Sequence, residues 1–541
     1  MAVDRLSALP DNLLQRILSF APAREAAASA ILSRRWRPLW PMTNAVNLDI
    51  RFYLAAKHKG RSISSSPPEA SFHDAAAALT AYPRRTSLKR LTLCLKGLIL
   101  HFAPGPPISG DGPDAEPRDD GKVAGLLTGN PATAELEELL IGCEHNSRNY
   151  GLPLTSMPCA ATLQVLDLER CTFQPSSVPS LAFPRLADLR LRNCFFIEGY
   201  LQAMLDAAPA LTSLLLLNVA QRPLESPDSA EKTPLHDYPT YHRLPLRLRC
   251  LTCTVLDLET YPQDEEFDAS GHIGIQLDMP SLRSFRYLGR PVKLTLISPA
   301  PGLVSVNLQT IYRGHHSQSR QLEPMPRMLT SFSATRALKL SLSSMKDILD
   351  GEKEHGGVIL PTFPNLKLLH LDVIYDDKSS IMASSMARLL SSCPAMSELR
   401  LMMWWNYDYV VERENEDPST NAFAQSMDRF EKLACKTPSH SISKVSDLPA
   451  ALADNCALFS CLRTSLRKVT LLFKTKEVDC FQLQLAKFLV ENAMVLEDMY
   501  IDDGNQFWQE HIRHKLARWR ADSFRTRNLP DTVGFQVHPL V

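Results

Sequence analysis

The sequence predicts an α/β chain in which a small three-helix block precedes a long, curved array of alternating strands and helices. Three observations predict it. Apolar residues in positions 4–40 recur at helical spacing. Beyond Asn47 a Leu-x-x-Leu-x-Leu motif returns again and again, closely spaced copies lying 23 to 30 residues apart. Between several copies the spacing reverts to a helical one.

In the N-terminal block Asp11 follows Pro10 and can cap or open a first helix. Leu13, Leu14, Ile17 and Leu18 then share one helical face. Ala23 to Leu32 is alanine-rich and reads as a second helix, and Trp36, Leu39 and Trp40 form a short third stripe. So short a block cannot bury a core alone and needs a partner surface or the domain that follows.

The motif appears as Leu88-Leu91-Leu93, Leu136-Leu139-Ile141, Leu163-Leu166-Leu168, Leu186-Leu189-Leu191 and Leu211-Leu214-Leu216. Looser copies start at Cys253, Leu282 and Leu303, and later ones at Leu366, Met396, Leu466 and Leu496. The intervals are 27 (136 to 163), 23 (163 to 186), 25 (186 to 211) and 30 (366 to 396; 466 to 496), the range of leucine-rich solenoids. Alternation puts the last two apolar residues on the inner face of a short strand, and the first turns into the core from the preceding loop. Cys171 and Cys194 follow where strands end, a tight site suited to a small apolar side chain. Stacked neighbours bury what no single unit can. Leu201, Met204, Leu205 and Ala208 read as a helical face, as do Met382, Met386, Leu389 and Leu390, and Phe481, Leu485, Phe488 and Leu489. Helices are wider than strands, so the strands should line the concave side.

Three segments interrupt the array and read as loops: 103–121, rich in Pro, Gly and Asp; 220–243, polar with several prolines; and 406–450, charged and serine-rich. Residues 521–541 lack apolar periodicity and read as a tail.

Composition narrows the function. Lys+Arg and Asp+Glu both count 59 in 541 residues, so no global basic field argues for nucleic acid and no basic run for anionic lipid. No uninterrupted apolar run is long enough to span a membrane, and Met1 to Arg5 lacks a signal-peptide core. Twelve cysteines are too sparse for a disulfide scaffold, and no Asn-x-Ser/Thr acceptor occurs. These features predict cytoplasmic or nuclear residence. No phosphate-binding glycine loop, metalloprotease HExxH or nucleophile-elbow GxSxG is present, so neither catalytic residues nor a cofactor are expected.

The string Leu9-Pro10-Asp11-x-Leu13-Leu14-x-x-Ile17-Leu18-Ser19-Phe20, continued by Leu32-Ser33-Arg34-Arg35-Trp36-Arg37-x-Leu39-Trp40, resembles an F-box. The whole chain is similar to the plant F-box/leucine-rich-repeat class. The stretch 466–520, with Leu466-Arg467-Lys468-Val469 and Leu496-Glu497-x-Met499, resembles the FBD domain that often ends such proteins. The organisation implied is an F-box at 4–45, a repeat solenoid at 46–465 and FBD-like repeats at 466–520. The resemblance implies a non-catalytic receptor subunit of a ubiquitin ligase. Its F-box would bind an SKP-type adaptor and through it a cullin, and its repeats a protein substrate. Leu9, Pro10, Leu14, Ile17, Leu18 and Trp36 would supply much of the adaptor interface, as the apolar residues a block this small leaves over. Ala21, Ala27 and Ala28 depart from the family pattern, which predicts a weaker adaptor affinity. The alternative is a repeat scaffold without ligase function.

Other residues carry a structural and a functional reading side by side. Cys250-x-x-Cys253 has the spacing of half a zinc site, but no second pair exists and Cys253 falls on a repeat position, so core cysteines are expected and no metal. His511 and His514, one helical turn apart, read as a solvated face. Trp404 and Trp405 follow a repeat strand and are candidate substrate anchors, or cover for the adjoining core. The arginines at 34, 35 and 37 belong to the F-box string rather than to a nucleic-acid patch.

Overall fold

The computed structural model describes residues 8–49, 87–95, 127–143, 150–152, 157–173, 181–222, 246–260, 274–310, 324–349, 359–375, 379–405, 458–472, 481–502, 506–529 and 534–539, with residues 6, 79, 125, 154 and 452 between them. The expected loops 103–121 and 406–450, and 223–243 of the third, lie outside these residues. The chain forms two compact units, one of residues 1–260 and 266–270, the other of 261–265 and 271–541.

The first unit opens with α1 (Asp11–Leu18) and α2 (Ala23–Ala28), the latter tightening into a 3-10 turn at Ser29–Ile31. The expected third helix over Trp36–Trp40 is not formed. Ser33 to Trp40 runs as successive turns, in which Trp36 N–H donates to Ser33 O at 3.1 Å and Leu39 N–H to Trp36 O at 3.1 Å. Pro38 explains it: it lacks an N–H and pushes Arg37 away from helical backbone angles.

Among the described residues of this unit, seven parallel strands form the main sheet: β1 (Ala45–Asp49), β2 (Arg90–Leu95), β3 (Glu138–Cys143), β4 (Val165–Glu169), β5 (Asp188–Arg192), β6 (Ser213–Leu217) and β7 (Val255–Glu259). Register aligns the motifs: Leu91 faces Leu139, Leu139 faces Leu166, Leu166 faces Leu189, and Leu189 faces Leu214. These leucines are buried in one stripe. A repeating junction fixes the stacking. Ala187 N–H and Asp188 N–H both donate to Gln164 O, and Thr212 N–H and Ser213 N–H both donate to Ala187 O.

The strand ends repeat as well. Arg170 (φ 60°), Asn193 (φ 52°) and Asn218 (φ 51°) are left-handed residues closing β4, β5 and β6. Arg170 N–H donates to Arg192 O at 2.7 Å and Asn193 N–H to Leu217 O at 2.7 Å. Asn218 Nδ2 donates to Asn193 Oδ1 at 2.9 Å, so adjacent turns are stitched side by side. Cys171 and Cys194 sit fully buried just beyond, at the tight position the sequence predicts. After the turn the chain adds a second, short parallel sheet of Tyr150–Gly151, Cys171–Phe173, Phe195–Ile197 and Ala220–Arg222. Its last strand corrects the loop expected to start at 220. Phe173 and Phe196 stack at 4.5 Å behind it, and α3 (Tyr200–Asp206) adds Tyr200 to the stack.

The second unit repeats the plan, with eight parallel strands of the main sheet among its described residues: β8 (Ser284–Gly289), β9 (Ser305–Thr310), β10 (Ala337–Leu342), β11 (Leu368–Tyr375), β12 (Glu398–Trp405), β13 (Lys468–Leu472), β14 (Asp498–Asp502) and β15 (Gln536–Pro539). Its helices are α4 (Met325–Leu329), α5 (Ser379–Ser392), α6 (Ser460–Thr464), α7 (Phe481–Asn492) and α8 (Gln506–Thr526). α5 and α7 lie where the sequence predicts them, with Met382, Met386, Leu389 and Leu390 of α5 and Phe481, Leu485, Phe488 and Leu489 of α7 buried. The tail expected from Ala521 is corrected: α8 continues to Thr526, and β15 pairs with β14. The inward face of α8 carries Leu516, Arg520, Ser523 and Phe524, a single leucine mixed with polar residues, so a search for apolar periodicity passes over it.

Candidate functional site

The first candidate surface is built by α1, α2 and the turns after them. Leu14, Leu18, Ala26, Trp36 and Leu39 form their core, with Leu9, Ala21 and Trp40 packed against it. Leu14, Leu18 and Trp36 are only 0 %, 5 % and 6 % exposed. This corrects the sequence reading of those three as residues left over for a partner. The block buries them itself, because its turns fold the indole back over α1. Ala21 also sits on this core, so its missing methyl groups act on packing within the block.

What remains outside is a different apolar set. Pro10 is exposed. Leu13 and Ile17 are 42 % and 46 % exposed one turn apart on α1, and Phe20, Ile31, Leu32 and Met42 are more exposed still. Of the six residues predicted for a partner, Pro10 and Ile17 lie on this outer side, Leu9 is half-buried, and Leu14, Leu18 and Trp36 lie inside. Sequence reasoning left Leu13, Phe20, Ile31, Leu32 and Met42 out of the site. Leu13–Ile17 and Leu14–Leu18 are both pairs at i, i+4, and spacing alone does not say which pair faces the core.

Polar contacts hold this geometry. Arg35 forms an ion pair with Asp11 at 2.7 Å and donates to Leu9 O, clamping the start of α1. Asn47 Nδ2 donates to Phe20 O at 3.0 Å, and the Arg90 guanidinium lies 5.2 Å over the Phe20 ring, so β1 and β2 anchor the block.

The second candidate surface is the strand face opposite the leucine stripe. In the first unit it is a charge ladder across β2 to β5. Arg90 pairs with Glu138, Arg190 with Asp188 at 2.6 Å, and Arg192 with Asp167 at 3.0 Å. Asp167 is nearly buried, and burial raises its pKa while Arg192 and Arg190 oppose the shift. In the second unit the middle row of this face reads Arg286, Asn307, Lys339, His370, Arg400, Thr470, Tyr500 and His538, one residue per strand from β8 to β15. Trp404 and Trp405 end β12, and their side chains lie outside the described residues.

Cys250 and Cys253 are buried free thiols, Cys253 in the leucine core as its repeat position predicts. The Cys253 thiol holds Cys250 below the ordinary thiol range, and the same contact with burial pushes Cys253 up. His514 is exposed, and the His511 side chain lies outside the described residues. No cluster of three metal-ligating side chains occurs among the described residues, and no described helix is long and apolar enough to cross a membrane.

Comparison with known proteins follows this division. The F-box domain family matches residues 6–44. The leucine-rich repeats of the FBD-associated F-box protein At5g56370 match residues 126–227. The F-box/LRR-repeat protein At5g41840 of Arabidopsis thaliana is 26 % identical over 409 residues, covering 73 % of this chain and 68 % of its own length. The F-box/FBD/LRR-repeat protein At4g26340 of the same plant is 28 % identical over 218 residues, 40 % of this chain and 44 % of its own. The FBD-associated F-box protein At5g38590 is 28 % identical over 217 residues, 39 % and 44 %. An F-box on the first candidate surface, leading into FBD-associated leucine-rich repeats, makes this chain similar to the plant F-box/FBD/leucine-rich-repeat proteins.

Proposed function

We propose that the chain is a substrate-receptor subunit of an SKP–cullin–F-box ubiquitin ligase, with the F-box docking on the adaptor and the strand faces of the repeats holding a protein substrate. The carrying observation is the apolar outer side of the F-box. Pro10, Leu13, Ile17, Phe20, Ile31, Leu32 and Met42 stand in solvent beside a core that is already filled. An apolar patch with aromatic and aliphatic anchors is what a stable partner interface needs. F-box domains typically bind SKP-type adaptors, and members of this family are typically non-catalytic. The subunit would act by proximity, raising the local concentration of substrate near the transferring enzyme. We place this activity in the cytoplasm or nucleus, where such ligases work. The FBD-like segment at 466–520 would extend the substrate-holding array.

The test is co-purification of the full chain with an SKP-type adaptor and a cullin, beside a Leu13→Asp/Ile17→Asp variant. Both positions are solvent-exposed, so the variant should fold and lose both partners. Leu14→Ala, in the core, should instead destabilise the block by about 2–5 kcal/mol. A wild-type chain that is folded yet captures neither partner would leave the scaffold reading in its place.

A further inference from the structure

The middle row of the second unit's strand face has an unusual composition. From β8 to β15 it holds no carboxylate, while the acids of this face, Asp372, Glu398, Asp498 and Asp502, all lie in the flanking rows. The β13–β15 end of the row is internally satisfied. Lys468 lies 4.9 Å over the Tyr500 ring, Tyr500 stacks on His538 at 4.8 Å, and His538 meets Asp498 at 2.8 Å.

At the other end two polar atoms are not. Asn307 Oδ1 and His370 Nε2 are buried polar atoms without a hydrogen-bond partner, on either side of Lys339. Lys339 itself has no ion pair among the described residues, whereas Arg400 is held by Glu398 at 2.8 Å. His370 is pushed below the ordinary histidine range, first by burial, then by Lys339 and Arg400, against the opposing pull of Asp372.

The spacing is regular. Arg286, Lys339 and Arg400 sit on alternate strands, β8, β10 and β12, with the neutral side chains Asn307 and His370 between. Strands lie about 4.8 Å apart, so these cations recur roughly every 10 Å. A polyproline-type extended peptide rises about 3.1 Å per residue with three residues per turn, so every third side chain returns to the same side after about 9 Å. We propose that this row, centred on Lys339 and His370, is a docking track for an extended acidic peptide segment of the substrate, with carboxylates every third residue meeting the cations and backbone amide groups meeting Asn307 and His370. The proposal rests on the reading of the repeats as substrate-holding, and it adds the chemistry of what they hold.

The test uses the purified full chain and a fluorescein-labelled synthetic peptide with aspartate at every third position, read by anisotropy. The asparagine version of that peptide is the comparison. Binding should weaken about tenfold or more with the asparagine version, and by a similar factor in Lys339→Glu with the aspartate peptide. Arg518→Glu, an equal charge change on the exposed side of α8, should leave binding unchanged. Circular dichroism confirms that both variants fold. Equal binding of the two peptides, or equal loss in both variants, would overturn the proposal, as would a single-stranded RNA of the same charge binding as tightly. Adaptor capture by the same preparations separates the two readings. Peptide bound without adaptor rejects the ligase assignment alone, and adaptor captured without preference for the aspartate peptide rejects this track alone.

Discussion

Asn193 and Asn218 show how single residues set the repeat. Each closes a strand with a positive φ, which costs most side chains about 1–2 kcal/mol and asparagine less. Each passes its N–H to the neighbouring strand end, and their amides bond to each other. Asn193→Gly should therefore lose little, because glycine accepts the backbone angle although the side-chain bond is gone. Asn193→Val should cost about 2 kcal/mol or more, since it forces a β-branched residue into that angle and removes the bond. Urea unfolding of the two variants beside wild type checks the order. The signal was visible in the sequence as Asn193-Cys194 after Leu189-x-Leu191, and the buried cysteine was read from it. The left-handed turn was not, because Arg170 fills the equivalent place and hides the pattern.

At the scale of elements, the C-terminal helix pair is held by an unusual residue. Arg520 of α8 is 1 % exposed. Its Nη1 donates to Val490 O at 3.3 Å and Ala493 O at 3.0 Å, where α7 ends and its last carbonyls have no partner in their own helix. Ser523 and Arg527 donate to Glu491 O nearby, and Arg527 also to Asn492 Oδ1. A positive group at a helix C-terminus is favoured by the helix dipole, and the Phe524 and Phe535 rings flank the guanidinium at 4.4 and 4.8 Å. Arg520→Ala should destabilise the second unit by about 2–4 kcal/mol, through orphaned carbonyls and lost packing. Arg520→Lys should recover only part, since an ammonium lacks the planar fork. Thermal unfolding followed by circular dichroism would show both. The strand elements were legible because leucine alternation is loud. This helix was quiet because its inner face interrupts Leu516 and Phe524 with Arg520 and Ser523.

Across the whole molecule the formal charge is zero, with 59 basic and 59 acidic residues. Among the described residues some of that charge is paired in ladders on the strand faces, as in Arg90–Glu138 and Arg192–Asp167. A net-neutral chain with an apolar F-box face should be least soluble close to neutral pH, and should aggregate less when an adaptor covers that face. Light scattering against pH, with and without the adaptor, measures both effects.

The sequence by itself determined the parts that depend on local spacing. These are the leucine strands, the helices at 200–206, 379–392 and 481–492, the buried cysteines at strand ends, and the F-box string. Period and side-chain type suffice there, because each unit repeats the same burial. Only the tertiary structure decided which of two equally spaced stripes on α1 faces inward, so that Leu14 and Leu18 became core and Leu13 and Ile17 surface. It alone aligned Arg286, Lys339 and Arg400, which lie tens of residues apart in the chain, into one row. Sidedness and cross-strand neighbours come from how elements pack and register, and a one-dimensional pattern leaves both unspecified.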